Sequence, residues 1–217
     1  MAAHTEPEEI HPTARLVGSG LSRTGTRSVH AALIALGVSS IHYPYDAGTR
    51  RALDTAQPLP VLATHTAILD ISSAAFFEQI AAQHPGSRVL HTRRDRSAWL
   101  EAVQRHYDAL ARNWHGFSPQ FRDFGEWITR RIYGSFPVAE PRLAAAFDRQ
   151  EERVADWERA HPGRLLVCDV FTGSGADRLP AFAGAIGELP GFPRISDDDE
   201  IELPGVEHTV LRSETAP

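Results

Sequence analysis

Short apolar runs alternate with longer amphipathic stretches along this chain. Residues 16–18 read as the end of a first strand. A helix over 27–37 follows, with Val29, Leu33 and Leu36 at spacings of four and three. A short strand over 38–43 is closed by Pro44, a short helix is predicted over 46–56, and Pro58 and Pro60 mark a loop. The strand 67–71 leads into a helix over 73–83 that His84-Pro-Gly ends. Further along come a strand at 88–92, a long helix at 96–113, an aromatic-rich helical section at 118–135 and an Ala/Arg/Glu helix at 141–160. The most apolar strand, 164–170, passes through Thr172-Gly-Ser-Gly175 into a last helix. Strands alternating with helices predict an α/β fold: three layers, with a mostly parallel sheet and helices on both faces.

The junction of the first strand and first helix carries the chemistry. It reads Gly18-Ser-Gly-Leu-Ser-Arg-Thr-Gly-Thr-Arg-Ser28, a strand, a turn of small residues and a helix start. Glycines let the backbone curl, successive N–H groups point inward, and the helix start adds positive potential. A contact of this kind to a charged oxygen is worth roughly 1.5–3 kcal/mol, so an anion is the expected ligand. The glycine spacing from Gly20 to Gly25 is that of a nucleoside-triphosphate loop, but Thr26 replaces its lysine and Arg27 its metal-binding hydroxyl. A P-loop kinase is therefore disfavoured. The dinucleotide fingerprint fails as well, since Arg23 stands where a third glycine belongs. The competing reading is a turn whose glycines serve backbone geometry alone.

Charge narrows the ligand. All 22 basic residues are arginines, so no lysine can act as a Schiff base or phosphate ligand. The net charge of −6 is uneven. Residues 1–13 and 196–217 carry −3 and −6 and read as mobile acidic tails, whereas 14–195 holds 21 arginines against 18 acids. A mildly cationic, arginine-rich body suits a phosphorylated small molecule and is too weakly basic for a nucleic acid duplex. The 217 residues are enough for one domain burying roughly 70% of its unfolded surface. One cysteine, Cys168, excludes an internal disulfide and points to a reducing, cytoplasmic setting. The first residues do not read as a signal peptide, and no membrane-length apolar run and no zinc-ligand spacing occurs.

A second stretch, Ser87-Arg-Val-Leu-His-Thr-Arg-Arg-Asp-Arg-Ser-Ala-Trp99, ends a strand and starts a helix with Asp95 or Ser97 as cap. Ligands of open parallel sheets sit beyond the carboxyl ends of the strands, which places Arg94 beside the loop as a fork-shaped donor. Arg93 and Arg96 read as solvated surface residues.

Together the two stretches resemble the sulfotransferases that use 3′-phosphoadenosine-5′-phosphosulfate (PAPS), in particular a bacterial branch with Gly-Leu-Pro-Arg-Thr-Gly-Thr in the loop and Val-Arg-Asp-Pro before a Trp. The likeness covers about 15–186 and includes Ile41-His-Tyr-Pro-Tyr-Asp46, Leu69-Asp-Ile, His84-Pro-Gly-Ser and Leu165-Leu-Val-Cys-Asp169. It implies a P-loop-like phosphosulfate loop within a single sulfotransferase-like domain over 14–195. By that resemblance Ser22, Arg23, Thr24, Gly25, Thr26, Arg27 and Ser28 hold the 5′-phosphosulfate, and Arg23 stabilises the leaving oxygen. Arg94 holds the 3′-phosphate. Ala102 stands where a partner serine is usual, and Ser97 is its substitute. The donor would be PAPS, the product adenosine 3′,5′-bisphosphate, and no metal is implied. Sulfuryl transfer to a hydroxyl or amine needs a general base. Asp70 is the first candidate, with helix capping as its competing role, and His65 and His42 are alternatives. The aromatic section 105–136, with Trp114, Phe117, Phe121, Phe124, Trp127, Tyr133 and Phe136, suits a small apolar or aromatic acceptor, though Phe124, Trp127 and Ile128 have the spacing of core residues. No nucleic acid and no membrane partner is expected, and the oligomeric state is open, a homodimer included. The alternative is a non-catalytic nucleotide-binding or regulatory module on the same fold, which Ala102 would permit.

Overall fold

The computed structural model describes residues 15–195. Both acidic tails of the sequence reading lie outside them. Five strands, β1 (Leu16–Gly18), β2 (Ser40–His42), β3 (Ala67–Leu69), β4 (Arg88–Thr92) and β5 (Leu165–Cys168), form one sheet in the order β2-β3-β1-β4-β5. Every pairing is parallel, with Val17 opposite both Ile68 and Val89. The expected α/β architecture is thus observed.

Alternate strand residues face opposite layers, as a two-residue period requires. Leu16, Leu69, Leu90 and Leu166 pack under α1 (Thr26–Ala35), against Val29, Ala32 and Leu33. Val17, Ile68 and Val89 face the larger layer of α3 (Ile71–Ala74), α4 (Phe77–Gln83), α5 (Arg96–Asn113), α6 (Pro119–Tyr133) and α7 (Glu140–Ala160). Between β2 and β3 lie α2 (Ala47–Asp54) and a 3-10 turn over Pro60–Ala63, and α8 (Leu179–Ala183) closes the described fold. No described helix is long and apolar enough to cross a membrane.

Local signals explain most boundaries. Asp46, Asp95 and Ser118 accept hydrogen bonds from Thr49, Ala98 and Phe121 N–H groups and start α2, α5 and α6. Gly134, at φ 78°, ends α6 in the left-handed region. Among the expectations revised, the strand read over 67–71 stops at Leu69, since α3 already starts at Ile71. The helix read over 73–83 is two helices interrupted at Ala75 and Phe76, where the Phe76 ring stacks on Trp127 at 5.7 Å. The last strand stops at Cys168, because the Asp169 carboxylate accepts the N–H groups of Phe171 and Thr172 and turns the chain.

Strand order creates the crevice. The chain leaves β1, runs out to β2, returns to β3 beside β1, and crosses to β4 on the other flank of β1. At such a reversal the loops after neighbouring strands diverge, and a ligand fits outside their carboxyl ends.

Candidate functional site

The loop after β1 is shaped by close packing. A Cβ on Gly20 would stand 1.8 Å from Thr92 Oγ1 and 2.8 Å from Thr92 O, and one on Gly18 would meet Leu69 Cδ2 at 2.7 Å. These two glycines let β1 and the loop lie against β3 and β4. Arg23 (φ 73°) and Gly25 (φ 99°) are both left-handed, and they flank Thr24, so the chain curls before α1. α1 begins with neither a side-chain cap nor an acid in its first turn, which leaves its positive end to the crevice.

The loop is braced from behind. Thr24 Oγ1 donates to Leu21 O at 2.6 Å and shares a 2.6 Å hydrogen bond with Thr92 Oγ1. Its hydroxyl therefore ties the loop to β4 and is not turned to a ligand, contrary to the sequence expectation. Trp99 Nε1 of α5 donates to Ser22 O at 2.9 Å, and Gln150 Nε2 of α7 donates to Ser19 O at 2.7 Å. Ser19 Oγ meets His91 Nδ1 at 3.1 Å, and His91 Nε2 meets Glu151 at 2.8 Å. Burial disfavours the Glu151 carboxylate, yet His91 and Arg93 together hold its pKa below the usual value.

The three arginines after β4 take different partners, and the two read as solvated are ion-paired to α7. Arg93 pairs with Glu151, and Arg96 forms a two-pronged pair with Asp148 at 2.8 and 2.9 Å. Arg94 alone of the three turns to the loop, its Nη1 donating to Arg23 O at 3.2 Å. Burial, and then the Arg23 cation, push the Arg94 pKa below its ordinary value, though a guanidinium stays charged at any physiological pH. The two guanidinium groups are thus close enough for each to feel the other's charge beside the loop. The Arg94 guanidinium also lies 4.2 Å over the ring of Phe171, a residue 48% exposed just beyond β5. Sequence reading missed Phe171, since its only signal was its place after the last strand. Ser97 is exposed in the first turn of α5, and Ala102 is buried one turn further on.

Asp70, directly after β3, stands at φ 81°, ψ −174°, a region occupied almost only by glycine and costing about 1–3 kcal/mol. Its side chain makes no cap bond to α3. Instead Ser22 Oγ donates to Asp70 Oδ1 at 3.1 Å and Thr26 Oγ1 donates to the same oxygen at 3.4 Å. His42 Nε2 lies 3.0 Å from Thr26 Oγ1 and 3.7 Å from Asp70 Oδ2. The single proton of Thr26 goes to Asp70, so Nε2 of His42 carries the hydrogen that Thr26 accepts. Burial, opposed by Asp70 and reinforced by Arg27, keeps the His42 pKa below 6.5, and the ring is neutral at pH 7. Behind it, His30 contacts Ser40 Oγ at 2.9 Å, and burial followed by His42 lowers its pKa to about 3.

His65 is not part of this cluster. It precedes the amino end of β3, where Nδ1 lies 3.0 Å from Val61 O, while Asp70 follows the carboxyl end of the strand. Arg27 and Ser28 lie in the first turn of α1, Ser28 buried and Arg27 part-exposed.

Aromatic rings stand beside Asp70. Tyr43, directly after β2, meets Phe121 and Phe124 edge-on at 5.9 and 5.7 Å. Burial first, and then Asp70, raise the Tyr43 pKa, so the phenol stays a neutral donor. Phe124 and Ile128 are core residues, as their spacing implied, whereas Trp127 is part-buried against that core and Tyr133 is buried within it. An open groove of about 580 Å³ between α4 and α7, lined by Glu78, Arg153 and Trp157 among others, includes no residue of the loop or of the Asp70 cluster.

The family model for the sulfotransferase domain matches residues 15–201, a span that contains the loop, Asp70, Arg94 and Phe171. Among curated proteins, none matches the chain significantly.

Proposed function

Because this chain belongs to the sulfotransferase domain family and is on that ground a sulfuryl-transferring enzyme, we propose that its donor is PAPS and its acceptor a small apolar or aromatic alcohol. The convergence of Arg94 on the Arg23 carbonyl carries the reading, because it brings the two anion-binding elements to one crevice. When bound, PAPS supplies a sulfuryl group attached to a phosphate leaving group. The residues present fit such a molecule. The curled backbone around Arg23 and Gly25, the start of α1 and the Ser22 and Thr26 hydroxyls would bind its 5′ end. Arg23 would supply a fixed cation to the departing oxygen, where such a charge is most effective in a water-poor site. Arg94 takes the 3′-phosphate as a planar fork, and the exposed Phe171 ring offers a plate for the purine.

On the acceptor side, Asp70 Oδ2 takes the proton of the attacking hydroxyl, and Tyr43 with Phe121 orients the apolar body. His65 has no part in this reading. Residues 14–195 act as one domain in a reducing cytoplasm, and no metal is required of the residues named.

Calorimetric titration with adenosine 3′,5′-bisphosphate, in EDTA and then in magnesium, tests the donor. Metal-independent binding is expected, weakened about 10- to 100-fold in Arg94→Ala because a charge-assisted fork is lost. Failure of the folded parent to bind would overturn the reading. Binding without turnover across a broad panel of alcohols and amines would favour the non-catalytic module, for which the buried Ala102 is the one structural argument.

A further inference from the structure

Two hydroxyls of the phosphate loop are already engaged. Ser22 Oγ and Thr26 Oγ1 both donate to Asp70 Oδ1, at 3.1 and 3.4 Å. Each hydroxyl has one proton to give, so neither can serve the carboxylate and a phosphosulfate oxygen together. We propose that Asp70 is a latch on the loop: it holds these hydroxyls while the donor is absent, and the arriving donor takes them over and frees the carboxylate for the acceptor. This rests on the donor reading above and adds to it a competition between Asp70 and the donor for the same two hydroxyls.

The backbone at Asp70 is built to keep the side chain aimed at the loop. Its carbonyl accepts the Ser73 N–H at 2.9 Å, the Ala74 N–H at 3.0 Å and the Ser73 hydroxyl at 2.9 Å. These three bonds clamp the main chain in a conformation that a non-glycine residue avoids, and such strain persists only where the surroundings impose it. The freed carboxylate also has a partner in waiting. The Nε2–H of His42, now given to Thr26, lies 3.7 Å from Asp70 Oδ2 and can turn to it when Thr26 turns away. Asp70 therefore changes donors without being stranded, which would be costly for a buried charge.

A latch and a scaffold predict opposite signs. If Asp70 merely shapes the loop, removing it weakens anion binding. If it competes for the loop hydroxyls and repels the anion as a like charge, removing it tightens binding. Adenosine 3′,5′-bisphosphate is titrated by calorimetry into the parent, Asp70→Asn and Asp70→Gly, with folding of each verified by near-ultraviolet dichroism. Asn keeps the shape without the charge, and Gly suits the backbone angle. About threefold or more tighter binding is expected in both, together with turnover reduced about 100-fold or more. Ser22→Ala is expected to cost about tenfold in affinity in Asp70→Gly, where no bond to Asp70 has to be exchanged, and a clearly smaller factor in the parent, where one bond replaces another. Affinity equal to or weaker than the parent in both Asp70 variants would overturn the latch while leaving the donor site intact. Loss of binding in every protein, parent included, would remove the donor reading and the latch with it.

Discussion

At Asp70 a residue type that commonly caps helices with its side chain follows a strand and makes no side-chain cap bond. Sequence reading set base and cap as equal roles, because both need only an acid ahead of a helix. The side chain's direction is decided by the backbone at φ 81°, which the Ser73 and Ala74 contacts impose. Gly20 is the contrary case, legible as a required glycine although its reason is a neighbour 72 residues away. Gly20→Ala is predicted to destabilise the fold by about 3 kcal/mol through overpacking against Thr92, and Thr92→Ala in the same chain to recover part of it, as read by urea unfolding. His30 gives a pH signature. Unfolded, it takes a proton near pH 6.5; folded, it stays neutral down to about 3, first because it is buried. Below pH 6.5 the unfolded chain binds more protons, so this contribution is complete above 6.5 and declines as pH falls to about 3. Between pH 6.5 and 5 the loss is about 2 kcal/mol, and His42, lowered for the same first reason, acts in the same direction. Thermal melts at pH 7.5 and 5 are expected to show a smaller acid penalty in His30→Gln than in the parent.

Among the elements, those with local start and stop signals were legible. α5 runs over Arg96–Asn113 as read, since Asp95 supplies its cap and the apolar stripe is continuous. The break between α3 and α4 was not, because Phe76 leaves the helical path to stack on Trp127, a residue of another helix. The loop itself is held by an element remote in sequence, through the indole N–H of Trp99 on the Ser22 carbonyl. Trp99→Phe keeps a ring against Phe147 but removes that bond. It is predicted to cost about 1 kcal/mol in urea unfolding and about fivefold in affinity for adenosine 3′,5′-bisphosphate.

Across the whole molecule, the reversal of strand order gathers the loop after β1, Asp70 after β3, Arg94 after β4 and Phe171 after β5 at one edge of the sheet. A ligand bridging them stabilises the fold as a unit. At about 100 times its dissociation constant, adenosine 3′,5′-bisphosphate is predicted to add about 2.7 kcal/mol, seen as a rise in Tm of about 5–10 °C. Arg94→Ala is expected to lose most of that rise at the same ligand concentration. The order of amino acids alone was enough for the alternation of strands and helices, the small-residue curl after β1 and the absence of lysine, because each depends on contacts within a few residues or on composition; the turn of Arg94 toward that curl followed from the rule that loops after parallel strands share one edge. It was not enough to turn Thr24 toward β4, to separate His65 from Asp70 by the length of a strand, or to bring Phe171 under Arg94. Those outcomes depend on which strands become neighbours and which way each backbone faces at its end. Both are settled only when the two sides of the sheet pack at once.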